Sequence, residues 1–140
     1  LMRYLLELGQ TGVDIIGDAP TMSMMDPDHP LAAPTAGTQG VSACCRQDYL
    51  ELLDGIPISE TSVSSSIPAV FSIAGLIHAA RQGNVGPEKL RGSTIQVPLY
   101  QEDCSYRIHM PVNFRSRLSA DCVAYCAETL PRFHVFLEDT

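Results

Sequence analysis

Positive charge is scarce in this sequence. Nine Lys and Arg against sixteen Asp and Glu give a formal net charge of −7 over 140 residues, and the basic residues are scattered along the chain rather than gathered in a run. A nucleic-acid backbone is bound by clustered cations that displace its counterions, so nucleic acid is excluded as the main partner and the acid excess reads as a solvated surface. Long apolar runs are missing as well. The longest apolar stretch, IPAVFSIAGLIHAA, is 14 residues long and carries His78, whereas a membrane-spanning helix needs ~20. The opening LMRYLLELGQTG interrupts its apolar residues with polar ones, so it does not read as a secretory signal, and a cytoplasmic protein away from the membrane is expected.

Cysteine is limited to an odd count of five, with Cys44 and Cys45 adjacent. That is poor geometry for a disulfide framework, and no CxxC pair supplies a zinc set. Cys122 and Cys126 are four apart and share one face of a helix, as small reduced core residues. Neither GxGxxG nor GxxxxGK[ST] occurs; GTQG at 37–40 reads as a turn rather than a phosphate loop.

What is present suits one globular domain: 45% hydrophobic residues, 18% charged, and a mean hydropathy of +0.06. At the start, Leu1, Tyr4, Leu5 and Leu8 share a helical face that GQTG ends. VDIIGDAP (13–20) reads as a buried strand, QDYLELLDG (47–55) as a short helix, and TSVSSSI (61–67) as a second strand. Pro68 then opens a helix with apolar residues at 70, 71, 73, 74, 77 and 80. STIQVPL (93–99) is a third strand, FRSRLSADCVAYCAETLP (114–131) a helix, and HVFLE (134–138) a fourth strand. Strands alternating with helices make βαβ units and a parallel sheet, and strands this apolar or small suit a sheet covered on both faces. A doubly wound sheet and a barrel both fit. Polar residues at the strand ends favour the barrel: Asp18, Ser64 to Ser66, Thr94 with Gln96, and Glu138 with Asp139. The expected class is therefore α/β, a partial (β/α)8 TIM barrel of about four βα units. The chain opens on Leu1 inside a helical pattern and closes just past a strand, so it is expected to be part of a longer protein.

Ser62, Ser64 and Ser66 alternate along their strand and point to one side. Hydroxyls on an inner barrel face cost free energy unless they meet partners. Thr94 and Gln96 are likewise two apart on one strand, and an amide offers donor and acceptor without charge.

GDAPTMSMMDPDHP, LLDGIPISETSVSSSIPA, EKLRGSTIQ and AETLPRFHVF follow one another in an order and spacing that resemble the catalytic barrel of coenzyme B12-dependent acyl-CoA mutases, the methylmalonyl-CoA mutase family, from about Gly9 to the end. The resemblance implies that residues 1–140 are the N-terminal part of that barrel. It also implies a radical isomerase in which adenosylcobalamin supplies the difficult chemistry and the protein positions an acyl-CoA ester and excludes water. Gln96 is then the catalytic contact to the acyl portion. Ser64, Ser66 and Thr94 match positions that bind the substrate, and Arg107 stands in for an arginine that binds an acyl carboxylate. Gly17, Ala19 and Gln39 match positions near the corrin ring. The family's cobalamin-binding domain, with its D-x-H-x-x-G ligand motif, is not among these residues, so a separate cobalamin-binding domain or subunit is an expected partner, as is a dimer.

The chain departs from the family where TIQND reads TIQVP and MTMNG reads SSIPA, which leaves the acyl group open and makes a non-catalytic barrel subunit of a heterodimer the alternative. A metal-dependent hydrolase built on Asp26, Asp28, His29, Glu102, Asp103 and His109 is a further reading, although prolines flanking aspartates ordinarily shape loops; no metal is expected. His78, Met22, Met24 and Met25 read as core or lining residues, and His134 as marking the edge of the last strand.

Overall fold

The computed structural model describes residues 1–95 and 110–137. Helix α1 (Met2–Glu7) leads into strand β1 (Gly12–Ile15), a single turn α2 (Ala19–Met22), helix α3 (Arg46–Leu52) and strand β2 (Ser62–Ser65). Helix α4 (Ala69–Gln82) joins β2 to β3 (Arg91–Ile95), and helix α5 (Val112–Thr129) precedes β4 (Arg132–Leu137). All three strand pairings are parallel, and the strands lie side by side in chain order. A doubly wound sheet reverses its order at a switch point; sequential order is that of a barrel wall, as the polar strand ends imply.

Alternation within each strand decides which face is covered. Val13, Ile15 and Val63 join Tyr49 and Leu53 of α3, Ile73, Leu76 and Ile77 of α4, and Cys122 and Cys126 of α5 in one buried cluster. Ile67, Leu90 and Leu130, each at most 2% exposed, contribute roughly 1.5–3 kcal/mol apiece on the usual scale for a buried aliphatic side chain. The opposite face carries Asp14, Ser62, Ser64, Ser93 and Ile95, half-buried or exposed. Strands covered on both faces were expected; among the described residues the helices cover one.

Several boundaries differ from the periodicity for local reasons. The first strand ends at Ile15 rather than Pro20, because Asp18 caps α2 and Pro20 sits in its first turn. The second stops at Ser65, whose hydroxyl accepts the Ile67 N–H at 3.1 Å and draws the backbone out of the ladder. The third begins at Arg91, and its expected residues 96–99 lie outside the described residues. Helix α5 starts at Val112 with Pro111 at its N-cap, earlier than Phe114. Helix α4 buries Ala69, Ser72, Ile73, Leu76, Ile77, Ala79 and Ala80, so of the apolar positions noted in its sequence Phe71 and Ala74 stand exposed. In α1, Met2 and Leu6 pack on the core, while Leu1, Tyr4 and Leu8 of the expected face are at least 60% exposed.

Gly92 fixes how β2 and β3 meet. Its φ of +153° is one that L side chains rarely adopt, and a Cβ there would lie 1.8 Å from the Val63 carbonyl oxygen. Beyond it the β3–β4 pairing shifts register between Ser93 and Ile95, a bulge at the C-terminal end of the sheet.

Candidate functional site

The strand registers assemble a polar row that no single segment contains. Asp14 pairs with Ser64, Ser64 with Ser93, and Ser93 with His134; partners in register share a face, so all four lie on the side away from the helices. The Ser64 and Ser93 hydroxyls are 2.9 Å apart and hydrogen-bonded. Each hydroxyl has two acceptor lone pairs and one proton, so the pair still has capacity for a bound chain of amides and esters. Ser93 was missed at the sequence level; strand alternation around Thr94 was the signal that places it on this face.

Ser66 lies at the C-terminal end of β2, where its Oγ accepts the Gly17 N–H at 3.3 Å and ties β1 to β2. Thr94 is turned to the helix side. It is 1% exposed, in register with Ser65, and its Oγ1 donates to the Ile67 carbonyl at 3.3 Å. Thr94 and Ser65 thus close the end of β2 from behind, while Ser64 and Ser93 face forward. Gln96 and Arg107 lie outside the described residues, as do Glu138 and Asp139.

At the end of β1, Asp18 organises the rim. It is fully buried, with Oδ1 accepting the Thr21 N–H at 2.8 Å and Oδ2 accepting the Gly37 N–H at 2.6 Å. Its own N–H donates to Val41, whose N–H donates to Ile16. The loop that carries Gln39 is thereby stapled across the strand end. The approach is close: a Cβ on Gly40 would come within 2.5 Å of the Gly17 oxygen. Gly17 is buried, and a Cβ there would meet Ile67, Met22 and Thr21 of the same chain. Ala19 is half-buried and Gln39 exposed on this rim. Ala19 and Gln39 thus stand on one rim at the C-terminal end of β1, with Gly17 buried beneath them.

Behind α2, a cavity of about 450 Å³ is lined by Met24, Met25, Cys44, Cys45, Tyr49 and Phe71 among others. Cys44 and Cys45 are exposed, unlike the buried pair Cys122 and Cys126. Both of their backbone N–H groups donate to Asp48 Oδ2 at 2.8 Å, which caps α3. Desolvation raises the Asp48 carboxyl, but these bonds outweigh it and hold it below its usual value. Partial burial, then the hydrogen bond to Asp48, pushes the Cys44 thiol up to about 11. Burial and the neighbouring Cys122 push Cys126 up to about 12. Neither thiol is poised as a nucleophile at neutral pH. His29 Nδ1 accepts the Leu31 N–H, a loop-shaping bond. Among the described residues no three His, Cys, Asp or Glu stand together to hold a metal ion, and no described helix is long and apolar enough to cross a membrane.

A family model described as methylmalonyl-CoA mutase matches residues 1–137. The methylmalonyl-CoA mutase large subunit of Streptomyces virginiae is 34% identical over 135 residues, covering 94% of this chain and 18% of that protein. Methylmalonyl-CoA mutase of Escherichia coli (strain K12) is 35% identical with 94% and 19% covered, and the 2-hydroxyisobutanoyl-CoA mutase large subunit of Aquincola tertiaricarbonis 29% identical with 94% and 24% covered. The chain spans about a fifth of the length of the curated relatives it matches.

Proposed function

Because the chain belongs to the methylmalonyl-CoA mutase family, we propose that it is part of an adenosylcobalamin-dependent acyl-CoA mutase, an isomerase, and forms the N-terminal part of its catalytic barrel. The observation that carries this reading is the hydroxyl pair Ser64–Ser93 on the uncovered face of a sequentially ordered parallel sheet. Neutral hydroxyls hydrogen-bond an amide-bearing arm without offering an acid or base to a reactive intermediate. Ser64 and Ser93 bind the arm of the acyl-CoA along the strands. Ser66 and Thr94 fix the strand ends from which Gln96 reaches the acyl group as the catalytic contact, and Arg107 takes an acyl carboxylate where the substrate has one. When bound, adenosylcobalamin supplies the carbon radical that starts the rearrangement. Ala19 and Gln39 would lie against its ring, with Gly17 holding their backbone, and a separate cobalamin-binding domain or subunit would carry the cobalt. The protein works in the cytoplasm as a dimer.

The test is an isomerase assay on the natural full-length protein with its cobalamin-binding partner and adenosylcobalamin. The panel includes methylmalonyl-CoA and 2-hydroxyisobutanoyl-CoA, the acyl groups in the names of the relatives. Turnover that falls at least tenfold in Gln96→Ala while cobalamin binding is retained supports the reading. Cobalamin binding with no turnover of any ester would move the assignment to a non-catalytic barrel subunit.

A further inference from the structure

Sulfur-bearing side chains from two separate segments line one cavity. Met24 and Met25 follow α2, Cys44 and Cys45 precede α3, and all four stand on the wall of the cavity of about 450 Å³ behind α2. Both cysteines are exposed and both methionines half-buried, so the sulfur-lined side is open to solvent. The described residues hold no triad of His, Cys, Asp or Glu for a metal, but that donor set leaves thioethers out.

In both segments sulfur sits where the backbone favours another residue. Met24 has a φ of +57°, its N–H donates to the Thr21 carbonyl, and the Met25 N–H donates to that of Pro20. It is the left-handed residue that closes α2, a position glycine ordinarily fills. Cys45 is the N-cap of α3, a position for Ser, Thr, Asp or Asn, whose oxygens accept more strongly than sulfur. There Asp48 accepts the N–H groups of both Cys44 and Cys45. Neither choice serves the helix it borders, and residues kept against local preference point to function. What the two segments share is sulfur on the same cavity.

We propose that Met24, Met25, Cys44 and Cys45 form a binding site for Cu(I). Thiolate and thioether sulfurs are soft donors that select this ion, whereas carboxylates and water suit harder ones. Binding involves no redox step: Cu(I) replaces the protons of the two thiols to give a dithiolate, the methionine sulfurs complete its shell, and both protons pass to solvent. The Cys44 thiol already donates to Asp48 at 3.3 Å, so its proton has a carboxylate to leave by. Arg46 on the same wall offsets the negative charge of the dithiolate and Asp48. Tyr49, Phe71, Ala74 and Gly75 extend the wall, an apolar shell that limits water and keeps the copper reduced.

The experiment titrates the natural full-length protein, without cobalamin and under nitrogen, with Cu(I) in the presence of the chelator bicinchoninate. The protein should withdraw a single Cu(I) per chain and gain an ultraviolet thiolate-to-copper absorption. Cys44→Ser and Cys45→Ser, which suit the helix end at least as well, should each weaken binding about a hundredfold, no less than loss of an outer-shell partner costs a metal site. Met24→Leu combined with Met25→Leu, which conserves volume, should weaken it about tenfold. Circular dichroism and thermal unfolding like those of the wild type show that the variants fold. X-ray absorption of the wild-type complex, which needs no variant, should find sulfur neighbours alone around copper. Failure to withdraw copper from the chelator would overturn the site, as would binding that survives loss of either cysteine or of both methionines, displacement of the copper by Zn(II), or a shell of nitrogen or oxygen.

Discussion

Ser64 and Ser93 come from segments 29 residues apart and share a hydrogen bond of 2.9 Å on the face of the sheet that the helices leave uncovered. Replacing either with alanine leaves its partner half-buried and within reach of water, so the cost in stability is small, about 0.5–1.5 kcal/mol for one ordinary hydrogen bond. The larger effect should fall on the ligand. In the full-length protein, Ser64→Ala and Ser93→Ala are each expected to raise KM for the acyl-CoA severalfold, and the double variant less than the product of the two, because the hydroxyls act as a pair. Steady-state kinetics on the three variants checks this; strict additivity would mean that the two serines act separately.

Asp18 should matter far beyond its size. Asp18→Ala removes the cap of α2 and the acceptor for the Gly37 N–H at once, and a lost N-cap alone costs ~1 kcal/mol. With a second buried donor stranded, a total of about 2–4 kcal/mol is expected. Amide hydrogen exchange at Gly37 and Thr21 should quicken, and cobalamin binding should weaken because the loop bearing Gln39 is released.

Gly92→Ala is predicted to be the most damaging small substitution in the sheet. The added Cβ would lie 1.8 Å from a backbone oxygen that cannot turn aside, so β2 and β3 must separate. The Ser64–Ser93 bond goes with them. Loss of soluble protein, or a fall in the urea midpoint well beyond that of Ser93→Ala, checks the prediction.

The Cys44–Asp48 contact sets a pH signature at the start of α3. Asp48 is depressed in the folded state, so its contribution is present above the ordinary carboxylate range and lost as pH falls through the folded value. Protection of the Cys44 and Cys45 amides should fade in acid. The Cys44 thiol is raised to about 11; its contribution is present below the ordinary thiol value near 9 and lost as pH rises through 11. Iodoacetamide should therefore label Cys44 slowly at pH 8 and faster as pH climbs, and Asp48→Asn should bring that rise to lower pH.

Much of the architecture was legible in the residues. The helix after Pro68, the SVSS strand and the FRSRLSADCVAYCAET helix are found within a few residues of where periodicity puts them, because each has several turns or alternations in agreement. Boundaries failed where a side chain competes for the backbone: Asp18 turning VDIIGDAP into a strand and a capped turn, and Ser65 ending β2. The alternation in SVSSS marked the face that Ser64 takes, whereas a lone serine in RGSTIQ carries no mark of the face that Ser93 takes.

The residue types and their periods determined the βα units, the parallel sheet and the family, because these follow from local alternation and from motifs contiguous in the chain. Only the tertiary structure decided which residues meet. Register between strands 29 or more positions apart sets Ser93 against Ser64 and Arg132 against Arg91. It also turns Thr94 to the helices and closes the Gln39 loop on buried Asp18. Those pairings depend on backbone hydrogen bonds between distant segments and on the space Gly92 leaves for them, and neither quantity is written in any one stretch of the sequence.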